Sequence, residues 1–416
     1  MAKKEIYLDH ASTTYLAPEV ERTMKIYWQK TYGNPSSLHK VGREAKVALD
    51  KARQTVARIF NCSITEIIFT GSGTESDNMA ILGVARAFIS EHPSIKNPHI
   101  ITSKIEHHAV LDPCHQLEKE GFSVTYLSVD KDGLVEPEAV KKALRPETIL
   151  VSIMYANNEI GTIQPITEIA KAIAKFRIKN AELRKNNSQF AIRNSQFPVF
   201  HSDACQAPGA LPLDVKKLGV DLLTVNGSKI YGPKGIGILY KKAGVKMQPL
   251  VFGGGQEMGL RSGTENVANI IGVARALELV EKNREKESRR LSALRDYFIR
   301  ELARRVPKVR LNGHPTLRLP NNVNVSILGI EGEAVILHLD ELGICASTGS
   351  ACTSGSLEPS HVILALGLGY EYAHGSLRFT LGKRNTKKDI DYVLKVLPGI
   401  VEKLRLISPV KVKIRK

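Results

Sequence analysis

The 416-residue chain is 43% hydrophobic and 24% charged, the composition of an ordinary soluble globular protein, and its length predicts two or three domains rather than one small core. Its 59 basic and 42 acidic residues leave a formal charge of +17, which admits nucleic acid, acidic partners or solubility alone. No apolar stretch is long enough to span a bilayer, and the opening MAKKEIYLDHASTT has no apolar run of signal-peptide length, so a cytoplasmic protein without a membrane partner is expected.

Between residues 65 and 240, seven β-rich runs (EIIFT, HIITS, SVTYLSV, TILVSIMY, PVFHSD, LLTVNG and GIGILY) alternate with helical patterns. Such alternation predicts an α/β fold with a mostly parallel sheet, whose ligands sit beyond the carboxyl ends of the strands. The first run leads through IIFTGSGTESDN into a helix whose first turn carries Thr74, Glu75 and Ser76. Free N–H groups there, with glycines before them, make an anion site, although the spacing matches neither the dinucleotide nor the P-loop pattern. The next strand is followed by His107 and His108 in SKIEHHAV; the spacing of HHAVLDPCH fits no zinc pattern, and no resident metal is expected.

TILVSIMYANNEIG ends in Asn157, Asn158 and Glu159. Further on, NSQF occurs twice, at 187–190 and 194–197, in a polar, basic stretch that reads as a neutral loop insertion. FPVFHSDACQ then ends in Asp203 and Gln206, and LLTVNGSK ends in Lys229 within a glycine-bounded turn. The glycine-rich GGGQEMGLRSGT breaks the alternation and marks a domain boundary. NREKESRRLSALRDYFIRELARRVPKVR after it predicts a long amphipathic helix with a solvated face, and NNVNVSIL and LRFTL predict strands of a second domain.

Five cysteines, at 62, 114, 205, 345 and 352, include no C-x-x-C pair and make a poor disulfide framework. Cys352 lies in STGSACTSGS, among glycines and serines that offer a thiol nothing to pack against. That setting reads as an exposed loop with a reactive cysteine. The strand ends together supply an amine, a carboxylate, a phosphate cradle, side-chain amides and, in His107, a partner for a planar ring. That set suits pyridoxal phosphate: a lysine takes the aldehyde as a Schiff base, and an acid keeps the pyridine nitrogen protonated.

The stretches YLDHASTT, GNPSSLH, TGSGTESDN, SKIEHHAVLD, ILVSIMYANNEIG, HSDACQAPG, GSKIYGPKG, GGGQEMGLRSGT, STGSACTSGSLEPSH and LRFTLGK resemble, in order, the cysteine desulfurases of the NifS/IscS type. These belong to the class V aminotransferases, of the fold type I pyridoxal-phosphate enzymes. The resemblance implies a large cofactor-binding domain over 15–263, with a basic loop insert at about 176–198. It also implies a smaller α+β domain, from 1–14 and 264–416, that carries the cysteine loop.

It further implies Lys229 as the Schiff-base lysine, Asp203 on the pyridinium nitrogen, Gln206 and Asn158 on the ring hydroxyl, and His107 on the ring face and in proton transfer. Gly73, Thr74, Asn226 and Ser228 would hold the phosphate, with Thr264 reaching in from the other subunit of a homodimer. Arg378, with Asn158, would bind the substrate carboxylate. Cys352 would take sulfur from L-cysteine as a persulfide, leaving L-alanine, and pass it to a scaffold protein for iron–sulfur cluster assembly or to tRNA thiolation. Any iron–sulfur ligation by Cys352 would be confined to that transfer.

Asn226 and Ser228 stand where many members have serine and histidine. The competing readings are a selenocysteine lyase or another class V aminotransferase and, from a different class, a basic nucleic-acid-binding protein.

Overall fold

The computed structural model describes residues 5–185, 197–349 and 359–408. Cys352, most of the NSQF duplication and the basic tail lie outside the described residues. In chain order the strands are β1 (Ile6–Tyr7), β2 (Ile67–Thr70), β3 (His99–Ser103), β4 (Ser123–Leu127), β5 (Thr148–Ser152), β6 (Val199–Asp203), β7 (Leu222–Asn226), β8 (Gly237–Lys241), β9 (Val309–Leu311), β10 (Asn322–Ile327), β11 (Ile344–Cys345) and β12 (Ser376–Thr380). Seven form one sheet in the order β2-β8-β7-β6-β5-β3-β4, parallel except at β8, which runs against both neighbours. This is the mostly parallel seven-stranded sheet that the alternation predicts.

Strands β2, β3, β5 and β6 are buried along their whole length, because helices cover both faces and leave no solvated side. On one face pack the helices Pro18–Gln29, Lys40–Phe60, Ile166–Lys185 and Val267–Lys282. Helix Lys40–Phe60 shows why: Ala45, Leu49, Ala52, Val56 and Phe60 recur every three or four residues and are all buried. Burying side chains such as Leu49 and Phe60 contributes roughly 1.5–3 kcal/mol each. The helix stops at Asn61, whose left-handed backbone (φ 55°) turns the chain away. The opposite face is closed by Met79, Ile81, Val84 and Phe88 of the helical run that begins at Gly73.

Strands β9, β10 and β12 form a separate antiparallel sheet, and β1 pairs with β11. Helices Arg284–Arg305, Gly332–Glu341 and Lys387–Ile407 enclose this second core. The first of these is the expected amphipathic helix, burying Leu291, Arg295, Phe298 and Leu302 on one stripe. The N-terminal segment joins the two parts: Leu8 pairs with Cys345 and Thr380, while the N–H of Thr14 donates to the Ser228 carbonyl.

The insert differs from the loop expected over 176–198. Helix Ile166–Lys185 runs well into it, and Arg177 is ion-paired to Asp221 and donates to the Pro198 carbonyl. Phe197 is buried, edge-on to Phe88 with ring centroids 5.1 Å apart. Polar composition hid both features, because the C-terminal part of the helix is tied down by the half-buried Arg177 guanidinium, while its apolar residues in the first core, Ile166, Ile169 and Ile173, come earlier.

Candidate active site

Strands β3, β5, β6 and β7 are neighbours in the sheet, and each is followed at its carboxyl end by a segment reaching one cavity of about 370 Å³. The cavity brings together Gly73, Thr74, His107, Asn158, Asp203, Gln206, Asn226, Ser228, Lys229 and Arg378. Parallel strands put their carboxyl ends on one edge, so residues as far apart in sequence as His107 and Lys229 converge, while Arg378 enters from β12 of the other sheet. Thr264 is exposed and does not line this cavity within the single chain.

Lys229 closes the tight turn Gly227–Lys229 after β7, and its Nζ donates to the Ser12 carbonyl. Asp203 is buried, and its Oδ1 accepts from the N–H of Cys205 at 2.8 Å. Gln206 is oriented by an Nε2 bond to the Ala11 carbonyl at 3.0 Å. Ser228 donates to Asn226 Oδ1 at 3.3 Å, which fixes the amide at the cup beside Gly73. A Cβ on Gly73 would lie 2.7 Å from Cys205 Sγ and 3.0 Å from Asn226 Nδ2, so a side chain there would force Cys205 to shift.

His107 caps helix His108–Lys119, its Nδ1 accepting from the N–H of Ala109 at 3.1 Å. Burial lowers its pKa against the pull of Asp203, and the charges of Lys229 and His108 lower it further. The neutral ring, accepting at Nδ1, therefore carries its proton on Nε2. Asn157 and Asn158 divide their work. Asn157 shapes the turn, its Oδ1 accepting from Glu159 and Ile160 and its Nδ2 donating to the Ile105 carbonyl. Only Asn158 faces the cavity.

The partners of several site residues escape a reading of the sequence. The Arg378 guanidinium is paired with Asp9 at 3.0 Å, and it also donates to Ser12 Oγ at 2.7 Å and the Asn158 carbonyl at 3.2 Å. Glu75 ties the glycine-rich 253–264 segment to the helix start, accepting from Arg261 at 2.9 Å and from the N–H of Gly71 at 2.7 Å. Asp77 lines the cavity four residues after Gly73, a helical spacing that could have flagged it. Its Oδ1 lies 3.5 Å from His201 Nε2. Burial pushes His201 down to about 3, so the ring is neutral and the contact is no ion pair. Burial and the nearby Asp203 hold the Asp77 carboxyl well above the usual range.

Two buried glutamates stand behind the cavity. Burial pushes Glu159 up to about 7 against the Ser360 hydrogen bond and the Arg378 charge. Glu106 goes from 4.5 up to about 8, also by burial, although Ser103 at 2.5 Å and the Met154 N–H at 3.1 Å both donate to its Oε1. A raised folded-state pKa contributes stability that is complete below pH 4.5 and is lost as pH rises through about 8. Glu106→Gln keeps the acceptor and removes the charge. We therefore expect the fall in melting temperature between pH 5.5 and 8.5, read by calorimetry, to be smaller in the variant. An equal fall in both proteins would contradict this.

Among the described residues no cluster of three or more His, Cys, Asp or Glu side chains could hold a metal ion, and no helix is long and apolar enough to cross a membrane. Residues 6–180 and 189–393 match the family described as Aminotransferase class-V. The chain is 52% identical over 409 residues to a protein of Dictyoglomus turgidum named cysteine desulfurase IscS, covering 98% of each chain. It is 50% identical over 406 residues to one of the same name from Methanosarcina thermophila, covering 98% of this chain and 94% of the relative. A solved structure titled NifS-like protein superposes with a TM-score of 0.84 at 35% identity, over 96% of this chain and all of the other. With the family matched along nearly the whole chain and the fold shared, this protein belongs to the class V aminotransferases, alongside members named cysteine desulfurases.

Proposed function

We propose that the protein is a cysteine desulfurase, converting L-cysteine and the Cys352 thiol into L-alanine and a Cys352 persulfide. The observation that carries this reading is the convergence of Lys229, Asp203, His107 and Arg378 on one cavity. The donor set fits pyridoxal phosphate: one amine, buried carboxylates at Asp203 and Asp77, and a helix start at Gly73 where a Cβ would crowd Cys205 and Asn226. When bound, that cofactor would supply an electron sink for the bonds at the substrate's α-carbon.

Lys229 would hold the cofactor aldehyde and move a proton at Nζ. Asp203 would keep the pyridine nitrogen charged, while Gln206 and Asn158 orient the ring hydroxyl. Gly73, Thr74, Asn226 and Ser228 would take the phosphate, joined by Thr264 of a second copy in a homodimer. His107 would hold a proton at Nε2 against the ring face, ready to donate it. Arg378 would bind the substrate carboxylate, its fork already aligned by Asp9 and Ser12. An iron–sulfur scaffold or another sulfur acceptor, in a reducing cytoplasm, would take the persulfide onward.

The large domain would span 15–263 and the smaller one 1–14 and 264–416, with helix Val267–Lys282 packed against the first core. The basic insert would have no part in catalysis. Replacing residues 186–196 by a Gly/Ser segment of equal length is expected to leave alanine turnover within about twofold, as loop changes usually do. A tenfold loss would give the insert a catalytic part.

The test of the reading supplies L-cysteine, pyridoxal phosphate and a thiol reductant, and measures alanine and sulfide. Stoichiometric alanine and sulfide with no 2-oxo acid present is the expected result. Turnover that requires a 2-oxo acid would make the protein an aminotransferase, and turnover of selenocysteine alone would make it a lyase. Salt-dependent affinity for RNA or DNA with no cofactor absorbance would favour nucleic-acid binding.

A further inference from the structure

Lys229 stands in a turn that is held from two sides. On one side the Gly227 carbonyl accepts from the N–H of Ile230 at 3.2 Å and of Gly232 at 3.1 Å. On the other, Thr14 spans the lysine. Its N–H and its hydroxyl both donate to the Ser228 carbonyl, at 2.8 and 2.9 Å, and the hydroxyl oxygen accepts from the N–H of Tyr231 at 2.8 Å. A hydroxyl has one proton to give and lone pairs to receive with, so a single side chain joins the peptide unit entering Lys229 to the one leaving Ile230.

The bond to Tyr231 holds an unfavourable backbone. Tyr231 has φ 61°, a left-handed conformation that bulky residues rarely adopt. Such strain persists where the surroundings over-determine it, and they do so here. The Tyr231 carbonyl accepts from the N–H of Ala17 at 2.9 Å, and its phenol oxygen accepts from the N–H of Lys383 at 2.9 Å. The ring lies 5.1 Å from that of Tyr15 and 4.4 Å from the Lys383 ammonium.

The segment that carries Thr14 also meets the far end of the lysine. Ser12, two residues earlier, accepts from Lys229 Nζ through its carbonyl. The same segment reaches Gln206 through the Ala11 carbonyl and Arg378 through Asp9. Thr14 itself is buried and does not line the cavity, so it acts on the lysine turn and not on anything bound there.

We infer that Thr14 is a positioning residue for Lys229, its hydroxyl clamping the Ser228 carbonyl to the Tyr231 N–H so that the amine is aimed into the cavity. This rests on the desulfurase reading for its consequence in turnover, but not for its consequence at the amine itself. Thr14→Val is close in shape and removes the hydroxyl, which leaves the Tyr231 N–H without its acceptor. Thr14→Ser keeps the hydroxyl and should keep the clamp.

The experiment compares the wild type with Thr14→Val and Thr14→Ser. In the holoenzyme it reads kcat and KM for alanine formation. In cofactor-free protein it follows, by absorbance, the rate at which added pyridoxal phosphate couples to Lys229. Mass spectrometry then reads methylation of Lys229 by formaldehyde and cyanoborohydride, with the exposed Lys403 as internal control.

Misplacement by about 1 Å can cost a hundredfold, so Thr14→Val should lower kcat about ten- to a hundredfold and slow cofactor coupling about tenfold. KM should stay within about twofold, because Asp9 and Ser12 still align Arg378. Methylation of Lys229 should rise about threefold or more as the amine leaves the Ser12 carbonyl, with Lys403 constant. Thr14→Ser should recover all three rates to within about threefold, as a role for the hydroxyl demands.

Wild-type kcat and wild-type Lys229 methylation in Thr14→Val would overturn the inference. So would a loss of kcat that comes with a lower melting temperature, unchanged methylation and no recovery by serine, since that pattern describes a merely structural threonine. If Thr14→Val does not fold, Thr14→Ala, which removes the hydroxyl without putting a methyl group in its place, decides by the same readouts. A wild type that forms no alanine would sink the desulfurase reading alone, because the methylation rates still test the clamp.

Discussion

Lys229→Ala should leave a folded protein that makes no measurable alanine from L-cysteine. Lys229 is the one lysine among the described residues lining the cavity, and the turn Gly227–Lys229 delivers its amine to the carboxyl end of β7. No neighbouring group can replace it: Arg378 is paired with Asp9, and an arginine does not give up its proton near neutral pH. An amine that both anchors the cofactor and moves a proton carries more than the ~10²–10⁴-fold of general acid–base catalysis alone, so the loss should exceed about 10³-fold. The fold should survive, since the side chain is only partly buried and belongs to no apolar cluster. Two readouts check this. Alanine formation should vanish, and cofactor absorbance should no longer be retained through borohydride treatment and dialysis. Retention equal to wild type would place the attachment on another residue.

Much of the site is legible in the sequence because its residues sit at strand ends. Asp203 ends β6 and Lys229 stands three residues beyond the end of β7, and a parallel sheet puts such positions on one edge whatever their separation in the chain. What the sequence conceals is the second set of contacts. Asp9 pairs with Arg378 across 369 positions, and no periodicity links a residue before β2 to one on β12. Asp77 shows only as one polar residue in a helix start, since its character comes from burial against His201 and Asp203. Glu159 is visible in the ANNEIG run, but its partners arrive from β10 and from the far side of the cysteine segment.

Composition marks the glycine-rich stretch ending at 264, yet the next helix carries Val267, Ile270, Ile271 and Val273 into the core of the first sheet. A glycine-rich loop punctuates backbone geometry and need not punctuate packing. The insert teaches the converse, with Arg177 and Phe197 packed inside a stretch that reads as uniformly polar.

The sulfur-accepting thiol is the central claim. Cys62, Cys114, Cys205 and Cys345 are the other cysteines, and burial raises the pKa of every one, Cys62 to about 12. A thiol held protonated is a poor nucleophile toward sulfur, so none of the four suits the task. Cys352 stands between flanks that reach Arg378 at Ser347 and His108 at His361. The measurement to make is alanine formed from L-cysteine by the wild type and by Cys352→Ala, with pyridoxal phosphate and a thiol reductant. The account predicts steady alanine from the wild type and a loss of about 10²-fold or more in the variant, the scale expected when a covalent nucleophile is removed. Alanine from Cys352→Ala at the wild-type rate would contradict it.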